Sequence, residues 1–572
     1  MPVPLPTLES AATIPEVLVA SGRRAPDAPA LWRYVDVRFE PVTYRELVVA
    51  AASMAERLAA RGAGPGKQVA VAITDRFTWG VTFLGVLFSG ATAVPIDPLL
   101  KPGEIESILE SSEAVLTVHD ERIELGRELE GNQRVAVEAV WPGFAGDLPL
   151  ESIPLPAVSG DSLAEVIFTS GTTGTVKGVM LSHGNLVGDI RAIDAMGLLN
   201  SDDLLLSILP IHHAFECTAG FLYPLSIGAQ VAYARSLKSN EILADLRATR
   251  ATIILGVPLL FENIVNSIRR KIEQAPAMRR RIARALIGTS RRGRGLGWRT
   301  AGRTLLASMR KQGGLDTIRL LVSGGAALPS YVAEYLDTIG LPLLQGYGLT
   351  ETAPVISVNR PGKYRYDTVG PPLPGTQVKI VDPRPDGVGE IAALGPMIMK
   401  GYWKNPEETA KVMRDGWLLT GDLGALDPDG HVRICGRSKN VIVTGAGKNV
   451  YPEEVEAVLC ARDEILEAVV FGISKPGKIG DTVAAIIVPN ADWYRENQPD
   501  AWKDDAQLNA AIGMIVKEVS ELLAPFKRIA QYEVQKDPFE KTSTRKIKRF
   551  LVTKGHSEKY GSAATLWPRD GR

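Results

Sequence analysis

A ten-residue stretch rich in glycine and hydroxyl groups, TSGTTGTVKG at residues 169–178, follows an apolar run that is typical of a strand. Its glycines let backbone N–H groups converge, its hydroxyls add donors, and Lys177 adds positive charge, which together suit a polyphosphate. A Walker A loop needs glycine before the lysine and serine or threonine after it, whereas Val176 and Gly178 stand there. The sequence therefore predicts a phosphate loop unlike that of P-loop kinases and ATPases. Its candidate ligands are Thr169, Ser170, Gly171, Thr172, Thr173, Gly174 and Lys177.

Five further motifs follow this loop along the chain. They are GGA at 324–326, YGLTE at 347–351, TGD at 420–422, GRSK at 436–439 and KTSTRK at 541–546. Six motifs in this order resemble the adenylate-forming superfamily, which includes acyl-CoA synthetases, peptide-synthetase adenylation domains and firefly luciferase. Within it, LPIHHAFE at 209–216, GKNVYPEEVE at 447–456 and a basic insertion before Gly324 are most similar to the long-chain fatty acid CoA ligases.

The resemblance implies a reaction in two halves, with Mg²⁺ as cofactor and ATP and CoA as co-substrates. A carboxylate attacks the α-phosphate of ATP to give an acyl-adenylate and pyrophosphate, and the CoA thiol then displaces AMP. A fatty carboxylate, whose pKa is about 4 to 5, is already ionised at pH 7 and needs no general base. This agrees with a sequence in which no Ser-His-Asp arrangement is recognisable.

By the same resemblance, the motifs of the N-terminal region surround the nucleotide. Thr350 is expected to contact the α-phosphate, and Glu351 to hold Mg²⁺, a hard cation that prefers carboxylate and phosphate oxygens. The adenine is expected between Tyr347 and the backbone of the GGA motif. The AMP contacts implied in this way are Gly325, Ala326, Tyr347 and Gly348.

The ribose contacts implied by the resemblance are Asp422 and Arg437. An ionised carboxylate can accept hydrogen bonds from both ribose hydroxyls, and a guanidinium offers a fork of donors to the same sugar. Taken alone, Asp422 after a glycine would indicate a turn, and Arg437 a surface ion pair. The accompanying motifs favour the nucleotide role.

Lys546 matches the C-terminal lysine that bridges the substrate carboxylate and the α-phosphate in the superfamily. The sequence departs from the pattern at two places, since Arg545 stands for the usual glycine and Glu540 for the usual proline. Lys541 and Lys548 therefore stay as alternative candidates.

The resemblance also implies a hinge at Lys439. The small domain is expected to rotate there, withdrawing the catalytic lysine and bringing Gly445 and Gly447 to a channel for CoA. Glycines permit a close backbone approach, here to the pantetheine arm, although the same residues also suit a plain hairpin turn.

His213 matches a superfamily position beside the acyl and adenylate pocket, where it contacts the carboxylate or gates ATP; a purely structural histidine is the alternative. His212 is the weaker candidate. A metal site built from the pair is not expected, because adjacent histidines on a helix or strand point apart and no third histidine is nearby in sequence.

Alternating apolar runs and helical patterns over about 47–320 predict an α/β fold. We expect a large N-terminal domain, residues 1–437, with two βα sheet lobes and a β-barrel-like lobe. A small mobile α+β domain, residues 438–572, is expected to follow. Residues 79–96 form the only uncharged stretch of membrane length, but glycines interrupt it, which indicates a buried helix running into a buried strand.

The chain of 572 residues carries 65 Lys+Arg and 65 Asp+Glu, so its net charge gives no reason to expect a nucleic acid partner. Its three cysteines, Cys217, Cys435 and Cys460, are too few for a disulfide framework, and its first residues show no secretory pattern. These features predict a cytoplasmic protein. They leave the oligomeric state open.

Residues 269–311 form a basic segment with fourteen Lys or Arg residues and one acid, Glu273. Two interpretations stay open: a solvated helical face, or peripheral contact with an anionic membrane at the inner face. Base-stacking aromatics are represented only by Trp298, which disfavours nucleic acid.

Taken together, the sequence predicts an ATP-dependent fatty acyl-CoA synthetase. Two alternatives remain: a fatty acyl-AMP ligase that loads an acyl carrier protein, and a non-catalytic acyl- or nucleotide-binding protein. The chain length of the acid does not follow from the sequence.

Overall fold

The computed structural model describes residues 7–144, 148–170, 176–236, 238–362, 365–445, 448–474, 480–542, 546–549 and 551–552. Strands in these residues, in chain order, are β1 (Pro29–Val35), β2 (Arg38–Thr43), β3 (Gln68–Ala72), β4 (Thr92–Pro95), β5 (Leu116–His119), β6 (Gln133–Ala136), β7 (Leu163–Ser170), β8 (Val176–Ser182), β9 (Leu204–Ser207), β10 (Gln230–Tyr233), β11 (Ile253–Gly256), β12 (Leu320–Ser323), β13 (Leu343–Tyr347), β14 (Ser357–Val358), β15 (Gln377–Val381), β16 (Gly389–Leu394), β17 (Gly401–Tyr402), β18 (Met413–Arg414), β19 (Trp417–Leu426), β20 (Val432–Arg437), β21 (Ile442–Val443), β22 (Asn449–Val450), β23 (Ile465–Ser474), β24 (Asp481–Pro489) and β25 (Gln531–Val534).

Helices separate most of these strands. In chain order they are α1 (Ile14–Arg24), α2 (Tyr44–Ala59), α3 (Arg76–Phe88), α4 (Pro102–Ser112), α5 (His183–Asp194), α6 (Tyr223–Ile227), α7 (Ser239–Thr249), α8 (Pro258–Glu273), α9 (Ala277–Gly295), α10 (Ala301–Leu305), α11 (Ala307–Gln312), α12 (Ser330–Thr338), α13 (Pro406–Val412), α14 (Pro452–Cys460), α15 (Ala491–Asn497), α16 (Pro499–Lys503) and α17 (Asp505–Leu522). A π-helical segment, Phe215–Leu222, precedes α6.

Two compact units divide the chain. The first contains residues 1–378, 393–418 and 429–432, and the second contains residues 379–392, 419–428 and 433–572. This division assigns two short segments before residue 433 to the C-terminal unit. The domain boundary at 437/438 and the hinge at Lys439 stay predictions.

The first unit contains two large sheets, as the alternating apolar and helical patterns predicted. One has the order β14-β13-β12-β11-β9-β10-β1-β2, and it is parallel except at its outermost pairs, β13–β14 and β1–β2. The other has the order β17-β8-β7-β4-β3-β5-β6, and it is parallel except at β7–β8 and β8–β17. The α/β expectation is confirmed.

The uncharged stretch 79–96 is a buried helix that runs into a buried strand, as predicted. Helix α3 is capped by the Asp75 side chain, and nearly all its residues are buried, as are those of β4. Gly85 lets α3 approach α2 closely, because a Cβ there would lie 2.3 Å from Cγ of Met54. In the part of the chain that the structure describes, no helix has the length and apolar character needed to cross a membrane.

The second unit contains a three-stranded sheet, β23-β24-β25, and a short hairpin, β21–β22. Helices α14 and α17 bury Val455, Leu459, Ile512 and Val519 in the same apolar cluster as Ile487 of this sheet. This is the α+β region that the sequence predicted.

Strands β15, β16, β18, β19 and β20 form a further five-stranded sheet.

Candidate active site

Three strands of the eight-stranded sheet, β9, β12 and β13, deliver seven of the predicted site residues to one edge. Strands β9, β11, β12 and β13 are parallel, so the segments that follow them meet at the carboxyl edge of the sheet, where α/β folds bind ligands. The predicted residues on these segments are His213, Gly325, Ala326, Tyr347, Gly348, Thr350 and Glu351.

Two glycines at this edge are required by close packing. A Cβ on Gly324 would lie 2.7 Å from Cζ of Phe215, and a Cβ on Gly348 would lie 1.8 Å from the carbonyl oxygen of Pro354. Real Cβ atoms do not approach other heavy atoms so closely, so the chain can turn here only with glycine. Gly348 thereby fixes the path from β13 into the short 3₁₀ turn Thr350–Thr352.

A chain of polar contacts connects the phosphate-loop lysine to the predicted magnesium ligand. Lys177 Nζ lies 5.2 Å from the ring centroid of Tyr402, and the Tyr402 hydroxyl donates a 2.9 Å hydrogen bond to Oε1 of Glu351. Oε2 of Glu351 has no hydrogen-bond partner among the described residues. A carboxylate with one oxygen oriented by a tyrosine and the other available fits a hard cation such as Mg²⁺.

Lys177 is also paired with Glu408 of α13, with 2.5 Å between Nζ and Oε2. Hydrogen bonds from Lys177 and Lys411 lower the pKa of Glu408 to about 2. The register of β8 with β17 aligns Tyr402 with Val179, two residues after the lysine. Strand pairing therefore brings residues from distant parts of the chain to the base of the phosphate loop.

Asp97 joins the two large sheets at their carboxyl edges. It follows β4, and its Oδ1 lies 3.5 Å from Nε2 of the buried His212, which follows β9. The rings of His212 and His213 lie 4.5 Å apart, and the potential ligand atoms of these three residues are all within 4.8 Å of one another. The expectation that the adjacent histidines point apart is wrong, because they lie in a turn rather than on a helix or strand.

Carboxyl groups are also buried in the core of the first unit. Burial raises the pKa of Glu165 on β7 to about 8 and the pKa of Glu216 on the π-helical segment to about 7. The positive charge of the buried Arg76 acts against the shift at Glu216. These groups are protonated or partly protonated near neutral pH.

In the second unit, the two predicted ribose ligands contact each other. Nε of Arg437 lies 2.7 Å from Oδ1 of the buried Asp422. Thr420 accepts a hydrogen bond from the backbone N–H of Asp422 and donates one to the carbonyl of Ile391, which fixes the turn that carries the aspartate. The carboxylate and the guanidinium are thus held side by side.

Lys546 is exposed on a hairpin that also carries Lys541 and Lys548. Its backbone exchanges hydrogen bonds with Thr542, and Lys541 faces Ile547 across the hairpin. Lys541 forms an ion pair with Glu467, and Lys548 lies 2.7 Å from Glu540. Both alternative candidates for the catalytic lysine, Lys541 and Lys548, are therefore in ion pairs.

The remaining predicted positions of the second unit are at the surface. Lys439 lies exposed in a 3₁₀ turn, and Gly445 is exposed at the turn of the β21–β22 hairpin. Gly447, Arg545 and residues 171–174 of the phosphate loop lie outside the described residues, as does the side chain of Ser170. Thr169 pairs with Lys177 across the β7–β8 hairpin.

Sequence reasoning missed Tyr402, Glu408 and Asp97. The first two lie more than two hundred residues after Lys177, so no local spacing connects them. The placement of Tyr402 depends on pairing between two strands that sequence periodicity did not identify as neighbours.

Comparisons with known proteins identify relatives over nearly the whole chain. A sequence model of the family described as AMP-binding enzyme matches residues 18–403. The long-chain-fatty-acid–CoA ligase FadD15 of Mycobacterium bovis is 30% identical and covers 94% of this chain and 94% of its own. A feruloyl-CoA synthase of an Amycolatopsis species is 31% identical, covering 78% and 84%. The long-chain-fatty-acid–[acyl-carrier-protein] ligase AEE15 of Arabidopsis thaliana is 27% identical, covering 95% and 86%.

Solved structures share the fold. ATP-bound MatB from Rhodopseudomonas palustris is similar with a TM-score of 0.75 at 24% identity, covering 96% of this chain and 100% of its own. MenE from Bacillus subtilis in complex with ATP and magnesium ion is similar with a TM-score of 0.72 at 23% identity, covering 94% and 99%.

Proposed function

Because this chain belongs to the AMP-binding enzyme family, we propose that it activates a fatty acid with ATP and transfers the acyl group to CoA. The carboxylate attacks the α-phosphate of ATP and releases pyrophosphate, and the CoA thiol then attacks the acyl carbonyl and releases AMP. In both steps the attacking group and the leaving group belong to the substrates, and no protein side chain forms a covalent bond with them. The protein has to orient them and neutralise phosphate charge.

The observation that carries this proposal is the contact chain from Lys177 through Tyr402 to Glu351. Lys177 supplies positive charge to the β- and γ-phosphates together with the loop 169–174, and Thr350 donates to the α-phosphate. Glu351 holds Mg²⁺, which supplies further neutralisation of phosphate charge when bound. Tyr402 orients the Glu351 carboxylate for this task.

The second unit contributes the remaining groups in this proposal. Asp422 and Arg437 hold the ribose, and Lys546 bridges the substrate carboxylate and the α-phosphate. The exposure of Lys546 on the surface of the second unit supports its assignment. Rotation at Lys439 then withdraws Lys546, and residues 445–447 line the path of the CoA arm. His213 contacts the acyl carboxylate.

A long-chain fatty acid is the proposed acid, because FadD15 is similar over 94% of both chains. The test is formation of AMP and acyl-CoA from ATP, Mg²⁺, CoA and a panel of straight-chain acids, with ferulate alongside. Acyl-CoA formation with an optimum among the long straight chains supports the proposal. A preference for ferulate would instead indicate an aromatic acid, as the name of the Amycolatopsis relative states for that protein.

A carrier-protein ligase is the second candidate, favoured by the similarity to AEE15. Acyl-adenylate that accumulates with CoA present, and is consumed when a phosphopantetheinylated carrier protein is added, would support this candidate. A binding protein without activity is the third. Pyrophosphate release that depends on the added acid would exclude it.

A further inference from the structure

The basic segment 269–311 belongs to the first unit and contains α9, α10, α11 and the end of α8. Its charge is one-sided, with fourteen basic residues against Glu273, in a chain whose net charge is zero. Attraction to an anionic partner therefore depends on local charge, and this segment concentrates it. The long helix α9 carries much of this charge, and its structure determines where the charge points.

One face of α9 is anchored to the rest of the first unit. Leu286 and Ile287 pack on an apolar cluster, and the Ser290 hydroxyl donates a 2.6 Å hydrogen bond to the carbonyl of Thr338 on α12. Arg294 forms an ion pair with the buried Asp337. These contacts fix the orientation of the helix and leave the opposite face toward solvent.

The outward face combines large apolar side chains with arginines. Met278 and Ile282 are 67% and 51% exposed, and they lie one turn apart on this face. Past the end of the helix, Leu296 is 89% exposed and Trp298 is 45% exposed. The strip between these two apolar ends carries small or polar exposed residues, Ala285 and Thr289, and the arginine Arg292.

Three arginines on or beside this strip are available to an external anion. Arg279, Arg281 and Arg292 are exposed, and among the described residues their side chains make no hydrogen bond or ion pair. By contrast, Arg284 is paired with Glu273, and Arg291 with Glu334. The cations without protein partners therefore flank the exposed apolar side chains.

We propose that the outward face of α9 docks on the surface of an anionic lipid bilayer. A helix with apolar side chains between arginines lies in the plane of a membrane interface, with the apolar groups among the acyl chains and the cations at the headgroups. Long-range attraction alone would serve any polyanion. The exposed Met278 and Ile282 favour a lipid surface, because burying them there removes apolar area from water.

The first experiment measures binding of the full chain to vesicles of phosphatidylcholine alone and of phosphatidylcholine with about 30% phosphatidylglycerol. We expect the partition coefficient to be at least about tenfold higher for the anionic vesicles at low salt, and to fall as salt rises. No binding to the anionic vesicles would overturn the proposal.

The second experiment tests whether the arginines of α9, rather than the overall charge of the chain, drive the binding. The triple variant R279Q/R281Q/R292Q is expected to bind anionic vesicles at least about tenfold more weakly. A matched control, K67Q/R122Q/R414Q, removes three exposed charges elsewhere on the first unit and should bind within about twofold of the wild type. Equal losses in both triple variants would reduce the effect to overall charge and contradict the proposal.

The third experiment tests whether the partner is a bilayer or a soluble polyanion. The variant M278S/I282S is expected to lose about tenfold in vesicle binding while its binding to a single-stranded RNA oligomer stays unchanged. M514S/L522S, which alters two other exposed apolar residues, is the control. Unchanged vesicle binding of M278S/I282S would mean that the face binds polyanions in general. All four side chains in the two variants are exposed, and thermal unfolding of each variant verifies that the fold is retained.

Discussion

The predicted site residues of the two units are held in different ways. In the first unit, Tyr402 contacts both Lys177 and Glu351, and the segments that carry them are fixed by strand register and by close packing at Gly348. In the second unit, Lys546 is exposed on a hairpin fastened by pairs that involve its neighbours. The first arrangement suits binding of a ligand in one geometry. The second suits a charge that serves one step and is absent from the next.

The largest effect on activity is expected for a substitution at Lys546. Lys546→Ala should slow acid-dependent pyrophosphate release on the order of 100-fold or more, because a charge aimed at the reacting phosphate is lost. Thioester formation from supplied acyl-adenylate should change only a few-fold. The two half-reactions are measured separately by pyrophosphate release and by acyl-CoA formation.

Lys541→Ala is the matched control for that variant. It removes the partner of Glu467, so it should lower the unfolding temperature while leaving the rate of adenylation within a few-fold of the wild type. If Lys541→Ala abolished adenylation and Lys546→Ala did not, the assignment of the catalytic lysine would have to move to Lys541.

The next largest effect is expected in the first unit, where Tyr402 orients Glu351. Tyr402→Phe removes the hydrogen bond that orients Glu351, and it should raise the Mg²⁺ concentration for half-maximal rate by about tenfold. Glu351→Gln should raise it further and lower the maximal rate. Tyr532→Phe, which removes a hydrogen bond from the Tyr532 hydroxyl to the Asn509 carbonyl in the second unit, is the control. An unchanged Mg²⁺ requirement in Glu351→Gln would mean that Glu351 does not hold the ion, and an unchanged requirement in Tyr402→Phe alone would mean that Tyr402 does not orient Glu351.

Stability against pH tests the buried carboxyl groups of the first unit. The pKa of Glu165 is about 8 in the folded chain against 4.5 when solvated, so the folded state binds more protons between these values. The free energy of unfolding should therefore fall as pH rises from about 4.5 to about 8, by up to about 1.4 kcal/mol per pH unit for this group. Denaturant unfolding at several pH values measures it.

Glu165→Gln should remove this group's share of the pH dependence, whereas the exposed Glu9→Gln should leave the curve unchanged. Glu216, with a pKa of about 7, contributes with the same sign and remains in both variants. A curve for Glu165→Gln that superimposes on that of the wild type would show that Glu165 is ionised in the fold.

The smallest expected effect concerns the pair between Lys177 and Glu408. Because Glu408 competes with phosphate for the lysine, Glu408→Gln should lower the KM for ATP by about two- to fivefold, the range expected for a partly exposed ion pair. The ring of Tyr402 still faces Lys177 in this variant. A KM that rises instead would mean that Glu408 positions the lysine.

The fold was largely predictable because its signals are local. Apolar runs of the sequence at 69–73, 166–168 and 252–257 all lie in or beside observed strands, β3, β7 and β11, and they belong to the alternation that predicted the α/β fold. Periodicity reports which residues are buried, and burial determines where strands and helices form. The GGA and YGLTE motifs fall at the ends of the parallel strands β12 and β13.

The contacts within the site were not predictable in this way. Asp97 meets His212 from another sheet, and Tyr402 meets Glu351 through pairing of β17 with β8. Such contacts depend on the order and register of strands far apart in the chain, which one sequence does not encode locally. The two histidines were expected to diverge because a regular element was assumed where the chain makes a turn.

The pair between Glu540 and Lys548 has a consequence for how this hairpin evolves. Proline, the usual residue of the superfamily at position 540, would restrict the backbone by itself, whereas here two side chains 2.7 Å apart hold the strands across the hairpin. A change at either position removes this ion pair. Among relatives, glutamate at 540 should accompany a basic residue at 548, and proline at 540 should release that position to vary.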